Sequence, residues 1–204
     1  MKAAEPALRA STTKGNERVV SILDAAKDII VKEGFSGLSY RNIAKSAGIA
    51  VGNVNYYPSK DDLMVDLAVY IFDRWGDRFQ KRLPSALVDE RSIFIFSINF
   101  MITENKRDKS ASLLMEMWAL ANHSPSVGKM LDAFYSKMRA WIADMLDRAR
   151  PGLDPPQLAI RAALITAQIE GLMILIGPRR QAHPELSGLE QAAVAHIAKL
   201  AFAD

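Results

Sequence analysis

Cysteine is absent from the 204-residue chain, which excludes disulfides, thiolate zinc sites and cysteine nucleophiles and leaves nothing that points to an oxidising compartment. Histidine is scarce. His123, His183 and His196 share no H-E-x-x-H or E-x-x-H spacing, so no metal site is expected and each is read as a surface or cap residue. No G-x-G-x-x-G or phosphate loop occurs, and no cofactor is expected. G-F-S-G at 34–37 is followed by Leu38 where a nucleophile elbow needs its second glycine, and S-V-G-K at 126–129 lacks the companion motifs of an S-x-x-K enzyme. No catalytic residue is assigned.

A long uninterrupted apolar run is also missing. The most apolar stretch, 162–177, is broken by Thr166, Gln168 and Glu170 and falls short of the roughly 20 residues a membrane span needs. It reads as a buried helix, and no membrane partner is expected. The first sixteen residues are polar without an apolar segment, so no secretory signal is read there and a cytoplasmic protein is expected.

What is present suits a globular protein: half the residues are hydrophobic and 24% are charged. The net charge of +3 is small, but its distribution is uneven. Residues 1–60 hold nine Lys and Arg against five Asp and Glu, whereas the remainder holds 17 against 18. The basic excess therefore sits in the first third, where a polyanion would dock.

Helical periodicity runs through nearly every segment, and no alternating β-branched run bounded by turns is found. The fold is predicted to be all-α. Over 18–33, Val19, Ile22, Leu23, Ala26, Ile29 and Ile30 form one apolar stripe, and Gly34 ends the helix. Ser39 caps a short helix stopped by Gly48, and a second short helix is predicted over 51–57 before Pro58. Ser59 caps a long helix with Asp61 and Asp62 in its first turn, ended by Pro84. Five further helices are predicted over 90–105, 109–122, 126–149, 156–176 and 188–202, separated by charged, Pro or Gly breaks.

The informative segment, 38–63, reads L-S-Y-R-N-I-A-K-S-A-G-I-A-V-G-N-V-N-Y-Y-P-S-K-D-D-L. A helix-turn-helix needs a small residue where the second helix crosses the first, a glycine in the turn and an apolar residue to seal the corner. Ala44, Gly48, Ile49 and Val54 have that spacing, although plain helical hairpins share it. The second helix carries Asn53, Asn55, Tyr56 and Tyr57, too polar and too short for a packing element. Asparagine pairs in bidentate fashion with adenine, and tyrosine reaches phosphate or a thymine methyl. Ser39 and Lys60 stand at flanking helix N-termini, where N–H groups and a cation grip phosphate. Arg41, Lys45 and a basic arm with Lys14 and Arg18 extend that grip.

With A-K-D-I-I-V-K-E-G-F upstream, this stretch resembles the DNA-binding domain of the TetR (tetracycline-repressor-type) family. The resemblance combines Gly34-Phe35, Ile43-Ala44, Ala47-Gly48-Ile49, the tyrosine pair and Ser59-Lys60 in register. It implies that Ser39 and Lys60 anchor phosphates, with Tyr40 and Arg41 beside them, and that Val51, Gly52, Asn53, Asn55, Tyr56 and Tyr57 face the groove. It also implies a homodimer made by the last two helices and an effector pocket in the middle ones. Two departures stand out. Ala50 occupies a place where the family often has a hydroxyl cap, whose loss costs about 1 kcal/mol. The segment is also one residue shorter between Tyr57 and Pro58, which leaves open which tyrosine packs inward.

The rest resembles the family by helix count and length alone. Phe96, Phe100, Met115, Trp118, Phe134, Met138 and Trp141 serve equally as core filler or as pocket wall. Asn99, Gln168 and Glu170 lie near them and are candidate ligand contacts, the competing reading for Glu170 being solvent or an arginine partner. The helix 156–176 is apolar nearly all round, so a second subunit is expected to cover it. Leu164, Gln168, Gly171 and Leu172 are placed at that interface, with Leu189, Ala193, Ile197 and Leu200 as a second seam. The reading is a ligand-responsive DNA-binding regulator, a repressor by the family resemblance, with residues 1–60 as a three-helix DNA-binding domain and its arm, and residues 61–204 as a helical-bundle effector and dimerisation domain. Its partners would be a double-stranded palindromic operator, a small-molecule effector and a second copy. A small all-helical enzyme and a helical protein-interaction module are the alternatives.

Overall fold

The first helix, α1 (Thr13–Glu33), buries the predicted stripe of Val19, Ile22, Leu23, Ala26, Ile29 and Ile30. Each Val, Leu and Ile side chain of the stripe contributes about 1.5–3 kcal/mol on leaving water. The computed structural model describes residues 13–178, 180–181 and 183–203. Lys14 and Arg18, named for the basic arm, stand in the first turns of α1, and residues 1–12 before them lie outside the described residues. Eight more helices follow among them, with no strand: α2 (Tyr40–Ala47), α3 (Val51–Val54), α4 (Lys60–Arg82), α5 (Glu90–Asn105), α6 (Asp108–Ala121), α7 (Pro125–Ala149), α8 (Pro155–Ile176) and α9 (Leu189–Phe202). The all-α prediction holds, and the predicted bounds of α5 agree to the residue.

Packing groups the chain into two compact units. One comprises residues 1–80 and 112–131, the other residues 81–111 and 132–204. By packing, most of α4 groups with α1 to α3.

In the first unit α1 packs on α2, and α2 on α3. Asp24 of α1 accepts the Tyr70 hydroxyl at 3.0 Å, pairs with Lys27 and lies 4.0 Å from Arg74. Burial opposes its ionisation, but Lys27, Tyr70 and Arg74 outweigh that and hold the carboxyl below its ordinary range. Burial and the neighbouring carboxylate push the Tyr70 phenol up, so it remains a donor.

In the second unit α5, α8 and α9 pack on one another. Phe94, Ile98, Ile142, Leu146, Ile165, Ile169, Met173 and Ile197 lie in its core. Asp89 caps α5 by accepting the Ser92 N–H at 2.8 Å. Asp154 and Gln157 close a capping box on α8, with Pro155 and Pro156 in its first turn. Arg161 donates to the carbonyls of Leu200, Ala201 and Ala203, satisfying orphan acceptors at the end of α9. Buried Glu104 is held by Arg82 at 3.5 Å and Arg107 at 3.1 Å.

The reading of 162–177 as too short for a membrane crossing is corrected in length alone, because the helix begins upstream of that stretch. By length and composition α8 is long and apolar enough to cross, and only 33% of that window is buried within the chain. The helix begins at Pro155, upstream of the stretch, and Ile160, Leu164, Ile174 and Leu175 are exposed on it.

Candidate nucleic-acid interface

The corner between α2 and α3 is built from backbone bonds and one glycine. Ser39 caps α2, its Oγ accepting the Asn42 N–H at 3.1 Å, while the Asn42 amide donates to the Gly37 carbonyl at 2.9 Å. Gly48 has φ +66° and ψ 32°, the left-handed region. Beyond it, the Ile49 N–H returns to the Ala44 carbonyl at 3.0 Å. Ala50 begins α3 with no side-chain cap bond, as expected from its lack of a hydroxyl.

The second helix is shorter than predicted. It ends at Val54, not Tyr57, and the tyrosines part company. Tyr57 is buried at 1% exposure while Tyr56 is 41% exposed, their rings edge-to-face at 5.3 Å. The expectation that Tyr57 faces a groove is therefore corrected. Its carbonyl accepts the Tyr40 hydroxyl at 2.8 Å, and its N–H returns to the Val54 carbonyl at 3.0 Å. Tyr57 and the buried Val54 anchor the corner together. Burial first, then the charge of Asp62, raises the Tyr40 phenol above its usual value and keeps it a donor. That hydroxyl is engaged inside the protein.

Val51, Gly52, Asn55 and Tyr56 are exposed, and Asn53 is half-buried. Beside them Arg41, Lys45 and Lys60 are exposed and Ser39 is half-buried. Ser59 caps α4, its Oγ accepting the Asp62 N–H at 3.1 Å and donating to the Asp62 carboxylate at 2.6 Å. The Lys60 ammonium lies 5.7 Å from the centre of the Phe35 ring. The neighbouring Asp61 carboxylate accepts the hydroxyls of Ser124 and Ser126. Such a surface, polar and basic on a packed corner, has the chemistry to contact phosphates and base edges.

Two family models match this chain. The tetR family of bacterial regulatory proteins matches residues 22–67, and the C-terminal domain of BetI-type transcriptional repressors matches residues 95–201, more than half the chain. The chain belongs to the TetR family. It is a TetR-family transcriptional regulator with a DNA-binding helix-turn-helix domain. An HTH-type transcriptional regulator of the dhlA 5′ region of Xanthobacter autotrophicus is 26% identical over 164 residues, covering 79% of this chain and 80% of that protein. A transcriptional regulator from Rhodococcus sp. Rha1 superposes with a TM-score of 0.71 at 22% identity, over 89% of this chain and 95% of its own. A Saccharomonospora viridis protein in complex with choline superposes at 0.67 and 18% identity, over 91% and 93%. At these identities the two structures share the TetR fold with this chain.

The expected pocket residues fall in both packing units. Met115 and Trp118 are half-buried in the first unit, and the others belong to the second. There, Phe100 and Met138 are buried, and Phe134 and Trp141 are half-buried. Phe96 and Asn99 line an open groove of about 530 Å³ with Arg91, Ser92 and Ile95. The Asn99 amide donates to the Ile95 carbonyl at 2.9 Å, one turn back on its own helix. Gln168 bonds His196 at 2.8 Å on α9. Glu170 is held by Asn105 of α5 and Tyr135 of α7.

The expected dimer residues divide as well. Leu164 and Gly171 are exposed, and Gln168, Leu189 and Leu200 are half-buried. Leu172, Ala193 and Ile197 face inward at 6%, 5% and 0% exposure, which corrects their placement at a subunit interface. Sequence reasoning also missed that Glu116 accepts the Phe35 N–H at 3.0 Å. The two lie 81 positions apart, and no local pattern marks such a bond.

Proposed function

We propose that this TetR-family regulator is a ligand-responsive repressor that binds a palindromic operator as a homodimer. The observation that carries the reading is the exposed patch of Val51, Gly52, Asn55 and Tyr56 on a corner anchored by buried Val54 and Tyr57. Residues 1–60 act as the DNA-binding domain and 61–204 as the effector and dimerisation domain. Asn55 reads a base edge, Tyr56 reaches a methyl or phosphate, and Ser39, Arg41 and Lys60 hold the backbone. The two α3 copies occupy major grooves about 34–36 Å apart or somewhat further.

Ile160, Leu164, Ala167, Gly171 and Ile174 of α8 are all exposed and recur at spacings of four and three. That apolar seam suits a two-fold helix pairing, which would cover it from water. The choline-bound structural neighbour supports a small-molecule effector. Effector and operator then oppose each other through one equilibrium, each weakening the other by the same factor.

The test is a gel-shift titration on the DNA upstream of the reading frame. Asn55→Ala is expected to lose about 1–3 kcal/mol at one base position. Lys60→Ala is expected to weaken all sequences alike and to lower the salt slope by about one. Parent-like, salt-independent binding by both variants overturns the assignment.

A further inference from the structure

Glu170 lies on α8 with its carboxylate turned toward α5 and α7. Its Oε1 is 3.5 Å from the Asn105 amide nitrogen, and its Oε2 accepts the Tyr135 hydroxyl at 3.2 Å. Both partners are neutral, and among the described residues Glu170 pairs with no lysine or arginine. The two bonds are long, and the Asn105 amide is shared with the Ile169 carbonyl at 3.3 Å. A carboxylate offers about four acceptor positions, so this one is underfilled as well as uncompensated. Glu104, on the facing α5, is buried with two arginines. Among the described residues, the same unit therefore gives one carboxylate two cationic partners and the other none. The Tyr135 ring whose hydroxyl donates to it stands edge-to-face with Phe134 at 5.1 Å, and the face of such a ring attracts a cation. Glu170 is half-buried rather than sealed in the core.

We propose that Glu170, Tyr135 and Asn105 form a binding subsite for a protonated primary or secondary amine. Its ammonium N–H groups fill the open acceptor positions and its charge pairs with the carboxylate. A quaternary ammonium brings the charge without a donor and fits less well. Burial raises the Glu170 carboxyl above its ordinary range, the direction in which a nearby cation would reverse it. The subsite rests on the ligand-responsive reading and names the ligand's chemistry.

The experiment is calorimetric titration of the full chain, without DNA, using benzylamine, benzyl alcohol and benzyltrimethylammonium as probes, on the parent and on Glu170→Gln. Saturable benzylamine binding, at least tenfold weaker for the alcohol, the quaternary ion and the variant, is the expected result. No benzylamine binding by the parent overturns the proposal, as does equal binding to Glu170→Gln or equal binding of the alcohol. Equal binding of the quaternary ion overturns the donor argument. Thermal melts separate a structural role: Glu170→Gln should melt at or above the parent, since it removes an uncompensated charge, and a lower melting point would make Glu170 a packing residue. Operator binding by the amine-free parent is measured separately. Its failure sinks the regulator reading without touching the amine result, and amine binding with unchanged operator affinity keeps the subsite while removing it from control.

Discussion

The Glu116 carboxylate of α6 accepts the backbone N–H of Phe35 at 3.0 Å. Phe35 opens the turn between α1 and α2, so this bond ties a distant helix to the base of the DNA-binding corner within one packing unit. Gly34 beside it has φ +70°, and a Cβ there would sit 3.3 Å from Glu116 Oε1. A hydrogen bond to a charged group contributes about 1.5–3 kcal/mol when shielded and less at a half-buried site. Glu116→Ala is accordingly expected to lower unfolding free energy by about 1–2 kcal/mol, read by urea titration, and to weaken operator binding in the gel shift. Unchanged stability would mean that water replaces the carboxylate without cost.

Tyr56 and Tyr57 are adjacent in sequence and opposite in environment. Tyr57→Ala leaves a cavity in the corner, an effect of about 3–5 kcal/mol for a large aromatic ring. Tyr56→Ala should change stability by no more than about 0.5 kcal/mol while weakening operator binding. Thermal melts paired with gel shifts on both variants check the separation. Similar melting points for the two would contradict the inward placement of Tyr57.

Gly48 is a case of conformation without crowding. Its φ is +66°, yet a Cβ built there meets nothing within 4 Å. Gly48→Ala should therefore cost about 1–2 kcal/mol, the penalty of the left-handed region for an ordinary residue. Gly48→Asn should cost less, since asparagine tolerates that region better. Equal melting temperatures for the alanine and asparagine variants would show that something other than backbone strain governs the turn.

The fold was legible in sequence because its stop and start points are local chemistry. Asp89, Asp154 and Ser39 cap the helices they precede, and Gly48 closes α2, each through bonds spanning five residues or fewer. The length of α3 was not legible, because the segment is held by the Tyr40 hydroxyl from seventeen positions upstream. The partners of the candidate pocket residues were not legible for a related reason. Asn99 looked like a ligand contact by polarity, but its amide is satisfied one turn back. On α8 and α9 the apolar residues surround the helix, so periodicity could not tell the inward Leu172 and Ile197 from the outward Ile160 and Ile174.

Asp24 makes acid stability testable. Its carboxyl is held below the ordinary range when folded, so its contribution is present above the unfolded value of about 3.9 and is lost as pH falls through the folded value. Its side chain is 38% exposed, and solvent screening limits the contribution to about 0.5–1 kcal/mol. Asp24→Asn should melt below the parent at pH 7, and the gap should close as pH falls below about 4. A gap constant from pH 7 to pH 3 would assign the effect to packing.

Gly171 separates the fold of one chain from its assembly. It is exposed on α8, and a Cβ placed there meets nothing within 4 Å. An arginine at this position therefore fits a single chain, with only the small propensity change of glycine to arginine in a helix, which is favourable by less than about 1 kcal/mol. Against a second copy of the Ile160, Leu164, Ala167, Gly171 and Ile174 seam, the same arginine brings a charge into apolar surface with no partner across the two-fold axis. Gly171→Arg should thus keep the parent's helical circular dichroism while light scattering shows a dimer reduced to a monomer. Operator affinity should fall with it, because each half-site is then bound alone. A parent that is monomeric, or a variant that remains dimeric, would place the subunit contact elsewhere and leave the exposed face of α8 without its proposed cover.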